Sequence, residues 1–185
     1  CRLAAAEFEN VYAIDSCNLS TGVGHLVIEA AKLIEKGMEA AQIAKELDSI
    51  KKKIHSSFII NKLDFLHAGG RCSALTALGA NLLKLKPCIE VNNSDGSMAV
   101  GKKYRGDLKS TLVKYVEDKL SSYDNIDTEK IFITYTDVDE SYIEAVREAV
   151  EKAVKFDNIY YTQASCTISC HCGPDTLGIL FMTKE

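Results

Sequence analysis

The sequence predicts an α/β protein in two unequal parts: the tail of one α/β domain over residues 1–54, and a complete α/β domain with a mixed or antiparallel sheet over 55–185. Three observations lead there. Short apolar runs of strand character alternate along the chain with stripes at helical spacing. The first 50 or so residues offer one strand and two helices, too little to cover a sheet of their own, whereas the remainder holds five or six strands and three helices. Two strand-like runs flank Asp95-Gly96, a tight-turn pair that defines a hairpin.

Taken in order, Val11-Tyr12-Ala13-Ile14-Asp15-Ser16 reads as a strand, and Thr21-Gly22-Val23-Gly24 as a glycine loop before a helix. That Gly-x-Gly resembles a phosphate-cradling turn, but the third glycine of the dinucleotide fingerprint is missing. Leu26, Ala30, Leu33 and Ile34 form one helical stripe, and Gly37 interrupts it. Ile43, Leu47, Ile50 and Ile54 form a second, ending in the solvated lysines 51–53. Phe58-Ile59-Ile60 is a strand. A helix over Leu75–Leu85 follows, stopped at Lys86-Pro87 because proline lacks the N–H donor. Cys88–Asn92 and Met98–Tyr104 are the hairpin strands. Leu108, Leu112, Val113, Val116 and Leu120 mark a helix, the run Ile131–Tyr135 alternates as a strand, and Ile143, Val146, Val150 and Val154 mark the last helix. Strands at Ile159–Thr162 and Leu177–Met182 close the chain around a cysteine-rich loop.

Composition narrows the function. Hydrophobic residues at 46% and charged residues at 26% are globular values. No apolar run approaches the roughly 18 residues of a membrane span, and no basic-then-apolar opening reads as a signal peptide. A chain that opens on Cys1 rather than Met suggests a lost beginning. A net charge of −4 and a pI near 5.6 speak against a general nucleic-acid binder. Seven cysteines, an odd number, suggest reduced thiols and a cytoplasmic protein rather than a disulfide framework.

Ligand chemistry concentrates where Asn61–Ser73 passes from an apolar strand to Gly69-Gly70-Arg71-Cys72-Ser73. Paired glycines let backbone approach a bound group, and the arginine fork suits a carboxylate or phosphate; an ordinary turn with a solvated cation gives the same residues. His171, beside Gly173-Pro174, suits an anion partner through an imidazole hydrogen bond; a structural or merely exposed loop histidine gives the same residues. Cys166, Cys170 and Cys172 around His171 invite a zinc reading, but adjacent Cys-His-Cys turns three side chains poorly toward one tetrahedral ion. Adjacent residues on an extended chain face opposite ways, so His171 would have to activate a distant thiol such as Cys72. The lysines and arginine at 84, 86, 102, 103, 105, 109 and 114 form a local basic excess, either a docking surface for an acidic or phosphate-bearing partner or a protected sheet edge.

Read together, Val11–Ser16 with Leu19–Gly24, Leu63–Leu66 with Gly69–Ser73, Leu85-Lys86-Pro87, Lys103-Tyr104-Arg105-Gly106 and His171-Cys172-Gly173-Pro174 resemble the DegV family of bacterial fatty-acid-binding proteins. The resemblance implies a two-domain α/β fold, without cofactor, metal or catalysis of its own, that buries a long acyl chain and presents its carboxylate to a separate fatty acid kinase for acyl phosphate formation and phospholipid synthesis. It implies Arg71, His171, Ser73 and Gly70 as ligand-binding residues and Lys103 and Arg105 as the kinase-docking face. The family's N-terminal region, with further carboxylate-binding loops, would precede Cys1. Asp175 stands where the family has glycine, a negative charge close to the anion site. Two other classes stay open: a cysteine- or metal-dependent enzyme using the 166–172 loop, and a structural fragment, a homodimer formed through the apolar face of its first two helices.

Overall fold

The computed structural model describes residues 1–69 and 85–184. Helices α1 (Arg2–Ala5), α2 (Thr21–Glu35) and α3 (Ala40–Ile50) precede β1 (Ile54–Ile59) and α4 (Asp64–Ala68). Strands β2 (Leu85–Val91) and β3 (Met98–Arg105), helix α5 (Leu108–Leu120), β4 (Ile126–Tyr135), α6 (Glu140–Ala153), β5 (Asn158–Gln163), α7 (Cys166–Cys172) and β6 (Leu177–Thr183) complete the chain. The strands form one six-stranded sheet ordered β3-β2-β1-β6-β4-β5. All neighbours are antiparallel except β4 and β5, which the α6 crossover joins in parallel. No described helix is long and apolar enough to cross a membrane.

The two faces of this sheet differ, and the difference positions the site. On one face α5 and α6 bury Leu112, Tyr115, Val116, Val146 and Val150 against Ile59, Ile131, Ile133, Ile179 and Phe181. Asp107 and Asp139 cap these helices by accepting from the backbone N–H of Ser110 and Ser141, each worth about 1 kcal/mol. The Tyr115 hydroxyl, fully buried, donates to the Ser57 carbonyl at 2.6 Å and accepts from the Ile179 N–H at 3.1 Å. Burial drives its pKa well above the ordinary value. Every residue of β6 is buried, as a central strand covered on both faces requires.

On the other face α2 and α3 cover only part of the sheet, through Leu26, Ile43 and Leu47 on Ile54 and Met182. Buried Lys130 of β4 reaches Glu29 of α2 at 2.6 Å, and Lys32 pairs with Glu129, so ion pairs fasten this helix to the strand. His25 of α2 is wholly buried, its ring edge-to-face with Phe132 at 4.7 Å between centroids and its Nε2 3.3 Å from the Leu180 carbonyl. Desolvation lowers its pKa to about 4, which keeps it neutral.

Several expectations change. No strand forms over residues 11–16: the segment has no ladder partner among the described residues, and Val11 and Tyr12 are exposed. Gly22 and Gly24 lie in the first turn of α2 rather than in a loop, and Asn18 packs so closely on Gly22 that a Cβ there would meet its Oδ1 at 2.0 Å. Ile54 opens β1 instead of closing a helix, since the lysines 51–53 form a single 3₁₀ turn. Leu85-Lys86-Pro87 begins β2 rather than ending a helix, and a bulge between Pro87 and Ile89 accommodates the missing N–H. The rest of the expected helix over Leu75–Leu85 lies outside the described residues. Strand β4 starts at Ile126, earlier than its alternation showed, because a register shift between Asp127 and Ile131 hides the period. Finally, Cys166–Cys172 is a helix and not an extended loop. Of the α2 stripe, Leu26, Ala30 and Leu33 pack toward the sheet and Ile34 is exposed; Val23 and Val27, outside that stripe, are exposed too.

Candidate functional site

Helix α4 leaves β1 through Asn61–Leu63 and packs its end against α7. The Gly69 N–H closes the last turn on the Phe65 carbonyl at 2.8 Å. A Cβ built on Gly69 would stand 2.2 Å from His171 Nδ1, so the imidazole rests on bare glycine backbone. That Nδ1 is buried and, among the described residues, has no hydrogen-bond partner. A buried N–H left without an acceptor is the costlier alternative, so we take Nε2 rather than Nδ1 as the ring's donor.

The turn after α7 is held just as closely. Gly173 has φ +76°, a conformation that favours glycine, and a Cβ there would meet Phe65 Cδ2 at 2.5 Å. Thr136 Oγ1 donates to the Gly173 carbonyl at 2.8 Å, Thr176 Oγ1 to the Cys172 carbonyl at 3.0 Å, and the Thr176 N–H returns to Thr136 Oγ1 at 3.1 Å. Asp175, at φ +59°, donates its N–H to the Asp137 carbonyl at 2.8 Å. Its carboxylate accepts from Asn61 Nδ2 at 3.1 Å, and Asn61 Oδ1 accepts from Lys86 Nζ at 2.6 Å.

Beside this turn, α7 leans over the incompletely covered sheet face. Leu19, Phe58, Ile168, Cys172 and Leu180 wall a narrow slot whose floor includes Ser56, Thr134, Thr136 and Gly178. Its enclosed volume is about 40 Å³, room for about three waters. The floor hydroxyls are satisfied: Ser56 donates to Asn18 Oδ1 at 2.8 Å, and Thr134 pairs with the hydroxyl of Thr21 and, at 2.8 Å, with that of Thr162.

The structure therefore brings His171 against the residue that precedes Gly70-Arg71. Gly70, Arg71, Cys72 and Ser73 themselves lie outside the described residues. Lys103 and Arg105 are exposed on β3, the edge strand, opposite Pro87 and Leu85. Part of the surrounding basic excess is paired: Lys102 and Lys114 share Asp118 at 2.5 and 3.0 Å. Helix α7 turns Cys166 and Cys170 outward and Cys172 inward. Burial pushes the Cys172 thiol up to about 11, so it is protonated and a weak nucleophile at neutral pH. Among the described residues no three His, Cys, Asp or Glu side chains gather as a metal site.

Sequence reasoning missed the hydroxyl floor and the Lys86–Asn61–Asp175 chain of hydrogen bonds, although Asn61 and Lys86 fell within stretches it had marked. Ser56, Thr134 and Thr136 carried one usable signal, since Thr134 and Thr136 alternate with isoleucines on a strand.

A family model described as an uncharacterised protein of the DegV family matches residues 1–184. A curated DegV domain-containing protein of Caldanaerobacter subterraneus subsp. tengcongensis is 28% identical over 176 residues, covering 94% of this chain and 61% of that protein. The chain thus spans about three fifths of the relative's length. A fatty acid binding DegV family protein of Streptococcus agalactiae superposes with TM-score 0.84 at 24% identity, over 100% of this chain and 64% of the other. The fatty acid kinase B3 protein of Streptococcus pneumoniae, loaded with linoleic acid, superposes with TM-score 0.82 at 19% identity, over 98% of this chain and 63% of the other. At these identities the likeness is one of fold.

Proposed function

The chain belongs to the DegV family, and on that premise we propose that it binds a long-chain fatty acid, holds the carboxylate at the turn carrying His171, and presents it to a separate fatty acid kinase. One observation carries this reading: Gly69 and His171 are in contact. Arg71 follows Gly69 by two residues, a reach of at most ~7 Å of chain, so a guanidinium fork and an imidazole donor can meet one carboxylate. Gly70 would give the backbone close approach, and Ser73 a further donor. The family's fatty-acid-loaded members supply the ligand class. The apolar walls of the slot beside α7 suit the start of an acyl chain, whose full length needs more space than the slot encloses.

In this reading the protein is a carrier and not an enzyme, it works in the cytoplasm, and Lys103 and Arg105 meet the kinase. The division into residues 1–54 and 55–185 belongs to the same proposal. Oleate uptake measured by native mass spectrometry tests it. Wild-type chain should carry the added mass, and Arg71→Ala or His171→Ala should lower the bound fraction about tenfold, the loss of one charged hydrogen bond. Equal uptake by all three chains would sink the site assignment.

A further inference from the structure

Asp175 places a negative charge four residues from His171, where it opposes an anionic ligand unless something holds and balances it. The structure supplies both. Its left-handed backbone and its N–H bond to the Asp137 carbonyl set the direction of the side chain, and the carboxylate meets Asn61 Nδ2 at 3.1 Å. Asparagine can present either end of its amide, so something must fix the choice. The Lys86 ammonium, 2.6 Å from Asn61 Oδ1, does so: it can only donate, which obliges the oxygen to face it and turns the amide nitrogen toward Asp175. Lys86 thus orients Asn61 and sets a positive charge one amide away from the negative one.

We propose that Lys86 and Asn61 are positioning residues for the carboxylate site, forming a relay that holds Asp175 toward β2 and compensates its charge so that a bound anion does not meet it bare. The relay rests on the fatty-acid reading for its ligand, but its geometry does not. It joins β2, which pairs with the strand bearing Lys103 and Arg105, to the turn bearing His171.

The test compares oleate binding and melting temperature for wild type, Lys86→Met, Asp175→Asn, the double variant, and Lys86→Arg. Removing the compensating charge should weaken binding roughly threefold to tenfold, less at high salt, because an uncompensated charge several ångströms away acts through partly solvated space. Asp175→Asn and the double variant should bind at least as tightly as wild type, and Lys86→Arg should stay within about twofold of it. A double variant as weak as Lys86→Met alone, or a Lys86→Met chain equal to wild type, overturns the relay. Wild type that takes up no oleate refutes the ligand instead. The relay is then read from the ¹⁵N resonance of the Asn61 side-chain amide: both Lys86→Met and Asp175→Asn should shift it, and an unmoved amide in either chain overturns the relay.

Discussion

Replacing Gly69 by alanine tests the contact on which the site is built. Gly69 does not adopt a left-handed backbone, so alanine is permitted conformationally and should stabilise by about 0.4–1 kcal/mol through the unfolded chain. Against this, the new methyl would stand 2.2 Å from His171 Nδ1 and 3.1 Å from both His171 Cε1 and the Phe65 carbonyl. Ordinary contact needs about 3.5 Å, so the ring must retreat by more than ~1 Å, and overpacking of this kind costs about 1–3 kcal/mol. The expected net effect is a loss of about 1–2 kcal/mol in urea unfolding and a fall in melting temperature of roughly 2–8 °C. Oleate affinity should fall with it, since the Nε2 donor moves together with the ring. The same substitution in a His171→Ala background should be neutral or stabilising, because only the milder 3.1 Å approach to the Phe65 carbonyl remains. A Gly69→Ala chain as stable as wild type, or a double-mutant cycle without coupling, would refute the packing of His171 on this glycine.

Three further outcomes follow from the rest of the fold. His25 has its folded pKa lowered to about 4 from 6.5, so the unfolded chain binds the extra proton first; its contribution is complete above pH 6.5 and is lost as pH falls through 4. His25→Gln should remove about 2–3 kcal/mol of the stability lost over that window, read by urea unfolding at each pH; an unchanged acid limb contradicts a neutral buried His25. Lys130→Met should cost about 3 kcal/mol by leaving Glu29 and Glu129 with one cation between them, and adding Glu29→Gln should recover part of it. With iodoacetamide, peptide mapping should find exposed Cys166 and Cys170 alkylated well before Cys172, and fast labelling of Cys172 would revive a cysteine nucleophile.

Legibility in the sequence followed where the cause of each element resides. Helices α5 and α6 were readable because their apolar stripes are local, and the β2–β3 hairpin because Asp95-Gly96 is a local turn. The segment 11–16 has strand composition, yet a strand also needs a partner, and partners are not written into the segment itself. Helix α7 is short, rich in cysteine, threonine and serine, and has no long period to display; its contacts with α4 supply the order that propensity does not. For the site, His171 stood out beside Gly173-Pro174, whereas the pairing of Asn61 with Asp175 and Lys86 was invisible because it lies in hydrogen bonds spanning 114 and 25 residues.

The unequal faces of the sheet explain why a site lies where it does. Where α5 and α6 pack, β6 and β4 present Ile179, Phe181, Ile131 and Ile133, and the interior is mainly apolar around the bonded Tyr115–Ser57 pair. Across the sheet the same strands present Gly178, Thr134 and Thr136, residues that gain little from being covered by helix and instead bind backbone and neighbouring hydroxyls. Coverage there comes from short α4 and α7, joined through glycines that let helix and side chain approach more closely than any Cβ permits. Close approach at Gly69 and Gly173 fixes His171 and Phe65 without a long helix behind them. Among the described residues, such an arrangement holds His171 rigidly beside a slot with apolar walls and a floor of Ser56, Thr134, Thr136 and Gly178, which is the geometry the proposed carboxylate site calls for.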